Sequence, residues 1–345
     1  MTTMALPPYR LPAHRGLVPG QASSAPVATE LAASLAATCG LPACTVVELG
    51  MGGGETHFFR VDGDGEPLFL LKAVYPDMLP SQIAANHIAS HLHNAGLRVS
   101  CLAAGFPASV AMDGRTWALL GYPFIRGRHG AGSLEELRTL GQRLGRLHLA
   151  MAEADDECAS HARIAWMGTA RTILTMWDRM ASGACGGPLK KDIRTVFKGT
   201  EGWIPQTGAQ MIHGDLNPGN VLFSDEGIAF LDFEDAVRTW LPPEIDLAFA
   251  LERFVLVIHD DDDAAECAAR ALVEGWRAGG GQSGRTLPLS VLLDWLSFKA
   301  LCLLSALEDD GRPMPEAEWE KFLHLLDLHR ARHALLSRLD AILHA

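Results

Sequence analysis

Two short apolar runs with polar ends constrain this chain more than any other feature. Residues 221–231 read as a β-hairpin in which Phe223 pairs with Ile228 across a four-residue turn. In this register Asn220, before the first strand, and Asp232, after the second, lie near each other, with their Cβ atoms roughly 5 to 8 Å apart. The hairpin therefore presents an amide and a carboxylate together at one end.

An amide oxygen beside a carboxylate is a ligand set that Mg²⁺ accepts. Mg²⁺ binds a few hard oxygen ligands and often completes its shell with phosphate oxygens, so histidine and thiol ligands are unnecessary. The hairpin thus predicts a magnesium site made by Asn220 and Asp232.

The segment before the hairpin, residues 211–220, reads MIHGDLNPGN. Its Asp215 stands five positions before Asn220. An Asp followed by four residues and an Asn is typical of loops that catalyse phosphoryl transfer, because the Asp meets the substrate hydroxyl while the Asn holds a metal beside it. Asp215 is the candidate catalytic base.

A second candidate site lies nearer the N-terminus. Glycines crowd positions 50–54 and are followed by two apolar runs, 57–61 and 68–74, joined by the sequence Asp-Gly-Asp-Gly, which favours a hairpin turn. Folding this hairpin places Lys72 roughly opposite Thr56. A lysine under a glycine flap suits ATP phosphates, because glycine permits close backbone approach and the cation offsets phosphate charge.

The chain divides into three parts by pattern. Residues 1–40 are an extension with a short helix at 27–37; residues 41–126 form a strand-rich lobe with one helix at 81–94; residues 127–345 are mainly helical and carry the catalytic hairpin. We expect an α+β, two-lobed fold, with a small antiparallel sheet in the first lobe. Ser133 and Glu136 form a capping box that opens the first helix of the larger lobe.

Composition excludes several classes of protein. The 345 residues are 48% hydrophobic and carry a net charge of −12, which disfavours a nucleic-acid partner. The seven cysteines form no Cys-x-x-Cys pair, so we expect reduced thiols. The N-terminus lacks the apolar core of a signal peptide, and charged residues interrupt the most apolar stretches, so we expect a cytoplasmic protein with no membrane partner.

The motifs together resemble the aminoglycoside phosphotransferase and choline kinase superfamily, which implies a protein-kinase-like fold. The resemblance covers about residues 46–253. It rests on four segments, namely His-Gly-Asp at 213–215 with Asn220, Leu-Asp-Phe-Glu at 231–234, Leu-Gly-Arg-Leu-His at 144–148 and Pro-Pro-Glu-Ile-Asp-Leu-Ala at 242–248.

The resemblance implies a role for each matching residue. Asp215 would be the base, Asn220 and Asp232 the Mg²⁺ ligands, and Asp246 a support for the catalytic loop. ATP would be bound by Lys72, Gly52, Gly53 and Thr56 at its phosphates and by the backbone from Tyr122 to Phe124 at its adenine.

Two departures from the family pattern carry information. The helix at 81–94 has no acidic residue to pair with Lys72, and Ala85 or Asn86 stands near the expected position. Only about a dozen residues separate Asp232 from Pro243, too few for the segment on which protein kinases dock peptides, so a small-molecule acceptor is favoured.

Other polar residues allow two interpretations each. Glu234 either reaches the metal or acceptor or bonds nearby backbone. The acidic run 260–263, beside Glu252, either attracts a cationic acceptor or is a solvated loop, which we favour. We expect His148 and His213 to be structural and the tryptophans of the larger lobe to lie in the core rather than form a cage for a quaternary amine.

The sequence thus predicts an ATP- and Mg²⁺-dependent kinase that phosphorylates a hydroxyl of a small molecule: an aminoglycoside, a choline-like amino alcohol, homoserine or a sugar. A non-catalytic nucleotide-binding scaffold is the alternative, motivated by the missing partner of Lys72. A protein kinase is a weaker third option.

Overall fold

The computed structural model describes residues 44–52, 56–112, 114–131, 133–182, 208–282, 284, 287–312 and 314–344. The expected helix at 27–37, Gly53 and Trp203 lie outside these residues. The strands are β1 Cys44–Gly52, β2 Thr56–Gly63, β3 Glu66–Val74, β4 Ala108–Met112, β5 Arg115–Pro123, β6 Arg128–His129, β7 Gln210–Met211, β8 Val221–Ser224, β9 Gly227–Phe230 and β10 Trp240–Leu241. The helices are α1 Leu79–Asn94, α2 Leu134–Ala152, α3 Asp156–Ala181, α4 Glu244–Leu251, α5 Asp262–Ala278, α6 Leu289–Asp309, α7 Glu316–Ala331 and α8 His333–His344.

The described residues fall into two compact units. The sheet unit comprises residues 44–130 and 219–234, and the helical unit comprises residues 131–218 and 235–344. The chain therefore passes from the helical to the sheet unit after Pro218 and returns after Glu234.

The sheet unit is built on a five-stranded antiparallel sheet in the order β1-β2-β3-β5-β4. Alternate residues of β3 face opposite sides, as a strand requires. Leu71 and Ala73 enter a buried cluster with Phe59, Val61 and other apolar side chains. Val74 enters a second cluster with Ala118 and Leu120, so both faces of β3 are covered.

The register of the β2–β3 hairpin differs from the sequence expectation. Lys72 pairs with Phe58, not Thr56, and His57 pairs with Ala73. One residue of this two-residue difference comes from an irregularity next to the turn, where Val61 pairs with Phe69 and Asp62 with Pro67, so that Leu68 has no partner; the other comes from the turn itself, where Gly63 pairs with Glu66. One unpaired residue moves every later pair along the strand.

The second hairpin has the expected register. In the pairing of β8 with β9, Phe223 lies opposite Ile228, and Leu231 N–H donates to Asn220 O at 2.9 Å. Contacts group this hairpin with the sheet unit, whereas the expected boundary at 126/127 puts it in the helical lobe. The reason is hydrogen bonding: β6 pairs with β8, and Phe230 exchanges backbone bonds with Arg98 and Ser100.

In the helical unit, α2 and α5 touch backbone to backbone. A Cβ added to Gly141 or Gly145 of α2 would overlap carbonyl oxygens of α5, and one added to Gly275 of α5, or to Gly279 just after it, would overlap those of α2. Ser133 caps α2 as expected, its Oγ accepting from Glu136 N–H at 3.2 Å. These four glycines, which we call the glycine seam, fix the close approach of the two helices.

One helix of the described chain, α6, has the length and apolar composition to cross a membrane. Of its most apolar 18-residue window, 61% is buried inside the protein, which is equally typical of a core helix.

Candidate active site

A cavity of about 530 Å³ lies within the sheet unit. Its walls come from β3 and β5, from one face of α1, and from the hairpin β8–β9 with the residues that follow it. Of the predicted site residues, the cavity collects Lys72, Tyr122, Phe124, Asn220, Asp232 and Glu234.

Lys72 is the cation of this cavity, and the structure gives it a partner. Its side chain is buried and its ammonium forms an ion pair with Glu234. Burial lowers the pKa of Lys72, and the charge of Asp232 opposes that shift. The acidic partner absent from α1 is therefore supplied by the residue two positions after Asp232. This ion pair is neither of the two roles expected for Glu234, which were contact with the metal or acceptor and bonding to nearby backbone.

Asn220 and Asp232 stand at the base of the hairpin, as the register requires. Asn220 is the last residue of a 3₁₀ turn, Pro218–Asn220, and Asp232 follows the strand that ends at Phe230. Among the described residues no group of three or more His, Cys, Asp or Glu side chains could hold a metal alone. An amide and a carboxylate facing one cavity fit Mg²⁺ that takes its remaining ligands from phosphate.

Asp232 has an unusual backbone. Its φ is +57°, in the left-handed region, where a residue with a side chain is rare and costs about 1 to 2 kcal/mol. Asp and Asn tolerate this region better than other side chains do. The backbone turn after Leu231 therefore directs the carboxylate of Asp232 at some energetic cost.

Two residues of the predicted glycine flap lie in the strands β1 and β2. Gly52 and Thr56 pair with each other at the end of β1 and β2, and Thr56 is buried. Gly53, the third, lies outside the described residues.

The segment predicted to meet adenine forms one wall of the cavity. Phe124 N–H donates to Leu68 O at 2.9 Å, so this amide is already engaged and does not serve a ligand. Burial, followed by the negative charge of Asp232, raises the pKa of Tyr122, so its hydroxyl stays protonated at neutral pH.

Asp215 belongs to the helical unit, in the loop after β7. It is half-buried, and Asn217 Nδ2 donates to its Oδ2 at 2.8 Å. Its backbone N–H donates to Nδ1 of His213, which is fully buried. Gly214 has φ +81°, and a Cβ there would lie 2.7 Å from Thr239 Oγ1, so only glycine fits between His213 and Asp215.

A buried carboxylate holds this loop. Asp246, in the first turn of α4, accepts hydrogen bonds from His213 N–H at 2.8 Å, from Gly214 N–H at 3.0 Å and from His148 Nε2 at 3.2 Å. His148 Nδ1 accepts from Trp276 Nε1 at 3.0 Å, which fixes the proton on Nε2. Burial would raise the pKa of Asp246, but these hydrogen bonds and the neighbouring histidines lower it overall.

Glu252 is buried and does not face solvent. It opens a π-helical turn, Glu252–Leu256, and only 1% of it is exposed. Its Oε2 lies 2.9 Å from Arg253 Nε and its Oε1 2.9 Å from His329 Nε2. His329 also faces Asp294, 3.6 Å from its Nδ1. Glu252 is therefore part of a buried ion-pair cluster, not of an acidic surface.

The acidic run at 260–263 is mostly exposed, as the favoured interpretation expects, and its last residues begin a helix. Asp261 caps α5 by accepting from Ala264 N–H at 2.8 Å, and Asp262 binds Arg332 at 2.7 Å. Backbone capping and ion pairing thus explain these carboxylates. Most tryptophans of the helical unit are core residues, as expected, namely Trp166, Trp177, Trp276, Trp295 and Trp319.

The chain is similar in sequence to a known protein family. A model of the phosphotransferase enzyme family, APH, matches residues 45–281. No curated protein sequence matches the chain significantly.

Solved structures share the fold at low sequence identity. A spectinomycin phosphotransferase, APH(9)-Ia, in complex with ADP and spectinomycin superposes with a TM-score of 0.60 at 14% identity over 91% of this chain and 99% of that one. A choline kinase from Cryptosporidium parvum gives 0.58 at 12% identity over 89% and 96%. A macrolide 2′-phosphotransferase, MphH, from Brachybacterium faecium gives 0.52 at 19% identity over 86% and 97%.

Proposed function

Because the chain belongs to the phosphotransferase enzyme family, we propose that it transfers the γ-phosphoryl group of ATP, with Mg²⁺, to a hydroxyl of a small molecule. The observation that carries the proposal is the cavity of the sheet unit, which brings Lys72, Asn220 and Asp232 together. Those are a phosphate-binding cation and two oxygen ligands suited to Mg²⁺.

Each residue has a task that its surroundings support. Lys72 offsets phosphate charge from a buried position, where electrostatic interactions are stronger than in water. Asn220 and Asp232 would hold Mg²⁺, which when bound neutralises charge on the transferred phosphoryl group. Asp215 accepts the proton of the acceptor hydroxyl, and Asn217 and the buried Asp246 hold the loop that carries it.

The acceptor class remains that of the sequence prediction: an aminoglycoside, a choline-like amino alcohol, homoserine or a sugar. The solved structures that share the fold include a spectinomycin phosphotransferase, a choline kinase and a macrolide 2′-phosphotransferase. Spectinomycin, choline and macrolides are hydroxylated small molecules. We also predict that the protein acts in the cytoplasm, which agrees with a dependence on ATP.

The non-catalytic alternative loses its motivation in the structure. It rested on a missing acidic partner for Lys72, and Glu234 fills that position.

An ADP-release assay with a panel of such acceptors tests the proposal. We expect ADP to form with at least one of them, and Asp215→Asn to lower kcat about 10²-fold or more, because a positioned base typically contributes 10² to 10⁴. Asp225→Asn, in the exposed turn of β8–β9, is the matched control and keeps full activity. Equal turnover by wild type and Asp215→Asn would contradict the assignment of the base. If none of the acceptors led to ADP formation, the non-catalytic scaffold would be favoured.

A further inference from the structure

Gln82 is a polar residue of the cavity that the sequence did not single out. It lies in the first turns of α1, its side chain is 1% exposed, and it lines the cavity of the sheet unit. Its Nε2 has no hydrogen-bond partner among the described residues. A buried N–H donor without a partner costs about 1 to 3 kcal/mol, so such groups call for an explanation.

The rest of this face of α1 offers no comparable group. Ala85 and Ala89, one and two turns further along, also line the cavity and are apolar. Asn86 lines it too, but its Oδ1 accepts from Leu102 N–H at 2.8 Å. Gln82 is the residue of this helix face that has a buried side-chain N–H donor with no partner among the described residues.

Gln82 and Lys72 line the same cavity, and the start of α1 packs beside a strand neighbour of Lys72. Met78 and Leu79, at the start of α1, pack on the cluster of Val74, Ala118 and Leu120, and Leu120 is the residue that pairs with Lys72.

The charge balance around Lys72 explains why a neutral donor is useful there. Lys72 is paired with Glu234, and Asp232 lines the same cavity. One ammonium therefore shares the cavity with two carboxylates. A polyphosphate that enters it gains from an N–H donor that brings no further negative charge, and the glutamine amide is such a donor.

We propose that Gln82 is a phosphate-binding residue, whose Nε2–H donates to a phosphate oxygen of the nucleoside triphosphate beside Lys72. This inference rests on the proposed function, since it names a further residue of the same nucleotide site. The unpaired donor then acquires its partner when the nucleotide binds.

Nucleotide titrations by calorimetry test this role with Gln82→Leu, which keeps the size of the side chain and removes the donor. We expect affinity for ATP and ADP to fall about tenfold or more, as for a lost hydrogen bond to a charged group, and affinity for adenosine to stay unchanged. His87→Leu, at an exposed position of the same helix, is the control and binds all three ligands like wild type.

Stability without ligand gives a second readout. Removing a buried, unpaired donor relieves its desolvation cost, so the ligand-free Gln82→Leu protein unfolds at the same or a higher temperature than wild type. A lower melting temperature, or an equal loss of affinity for adenosine, would mean that Gln82 supports the cavity structurally and would overturn the proposal.

Gln82→Glu separates phosphate binding from pairing with Lys72. A third carboxylate repels phosphate, so we expect a larger loss of ATP affinity than with Gln82→Leu. ATP affinity equal to or above that of wild type would show that position 82 serves Lys72, and would overturn the proposal. If wild type binds ATP and Gln82→Leu binds it equally well, this inference alone fails; if wild type binds no nucleotide, the proposed function fails with it.

Discussion

At the scale of single residues, the buried carboxylate of Asp246 connects most directly to the chemistry. It accepts two backbone hydrogen bonds from the loop that carries Asp215, and a third from His148. The motif resemblance predicted a supporting Asp here. The hydrogen bond from Trp276 that fixes the tautomer of His148 could not be predicted from the sequence, because 128 residues separate the two.

Asp246→Asn is expected to lower both stability and acid sensitivity. The folded-state pKa of Asp246 lies below its ordinary 3.8, so its stabilising contribution is present above that pH and is lost as pH falls through the folded value. Urea unfolding at pH 7 should show a loss of about 1 to 3 kcal/mol, since buried hydrogen bonds to a charge are weakened.

The control for this measurement is Asp225→Asn, which changes an exposed carboxylate. Its unfolding free energy should follow wild type from pH 7 to pH 3. If Asp246→Asn also followed wild type over that range, Asp246 would be protonated or unimportant in the folded protein.

His329 gives a pH dependence of the opposite sign. Burial lowers its pKa, but hydrogen bonds and charge from Asp294 and Glu252 raise it overall to about 8. The stabilisation is therefore present below about pH 6.5, the unfolded value, and is lost as pH rises through 8. We expect about 1 to 2 kcal/mol of unfolding free energy to disappear over this range in wild type.

The comparison for this titration is His329→Gln, which should show a flatter profile between pH 6.5 and 8.5. His333→Gln, at an exposed position, should reproduce the wild-type slope. A wild-type slope retained in His329→Gln would assign the effect to another group.

At the scale of secondary-structure elements, the alternating patterns predicted most strands and helices, including the hairpin β8–β9 and its register. They placed Lys72 opposite Thr56 and missed the unpaired Leu68, because a bulge leaves no mark in apolar alternation. The leucine stripe of α2 was visible in the sequence. The glycine seam was not, since its partner α5 lies more than a hundred residues away.

The glycine seam makes a stability prediction with an internal control. Gly141→Ala should destabilise the protein by several kcal/mol, because its Cβ meets the rigid backbone of Leu272. Gly168→Ala, in α3 with open space around it, should stabilise by up to about 1 kcal/mol through helix propensity. Thermal or urea unfolding measures both, and a neutral Gly141→Ala would mean that α2 and α5 can separate at low cost.

At the scale of the whole molecule, family membership confirms the prediction of a phosphotransferase, and the shared folds confirm an antiparallel sheet unit with a mainly helical unit. The proposed metal ligands Asn220 and Asp232 lie in the sheet unit with Lys72, while Asp215, the proposed base, belongs to the helical unit. The buried ion pair of Glu252 with His329 could not be predicted, because the two residues lie far apart in sequence and meet only in the folded chain.

This division predicts that nucleotide binding and chemistry respond to different substitutions. ATP at about 100 times its dissociation constant should stabilise the protein by about 2.7 kcal/mol, and Mg²⁺ should enhance the shift. Asp232→Asn should remove the enhancement, whereas Asp215→Asn should keep it. Thermal shift with ATP, with and without Mg²⁺, measures this, and a magnesium effect that survives in Asp232→Asn would argue against the assigned ligand.

The left-handed backbone at Asp232 restricts which amino acids this position can hold. Backbone geometry alone admits glycine, asparagine and aspartate at low cost, and excludes glutamate, the other carboxylate. Metal chemistry alone admits both carboxylates and excludes glycine. Aspartate satisfies both requirements with a full negative charge. The conformational requirement and the chemical requirement are independent of each other, and together they leave a single residue type at this position of the chain.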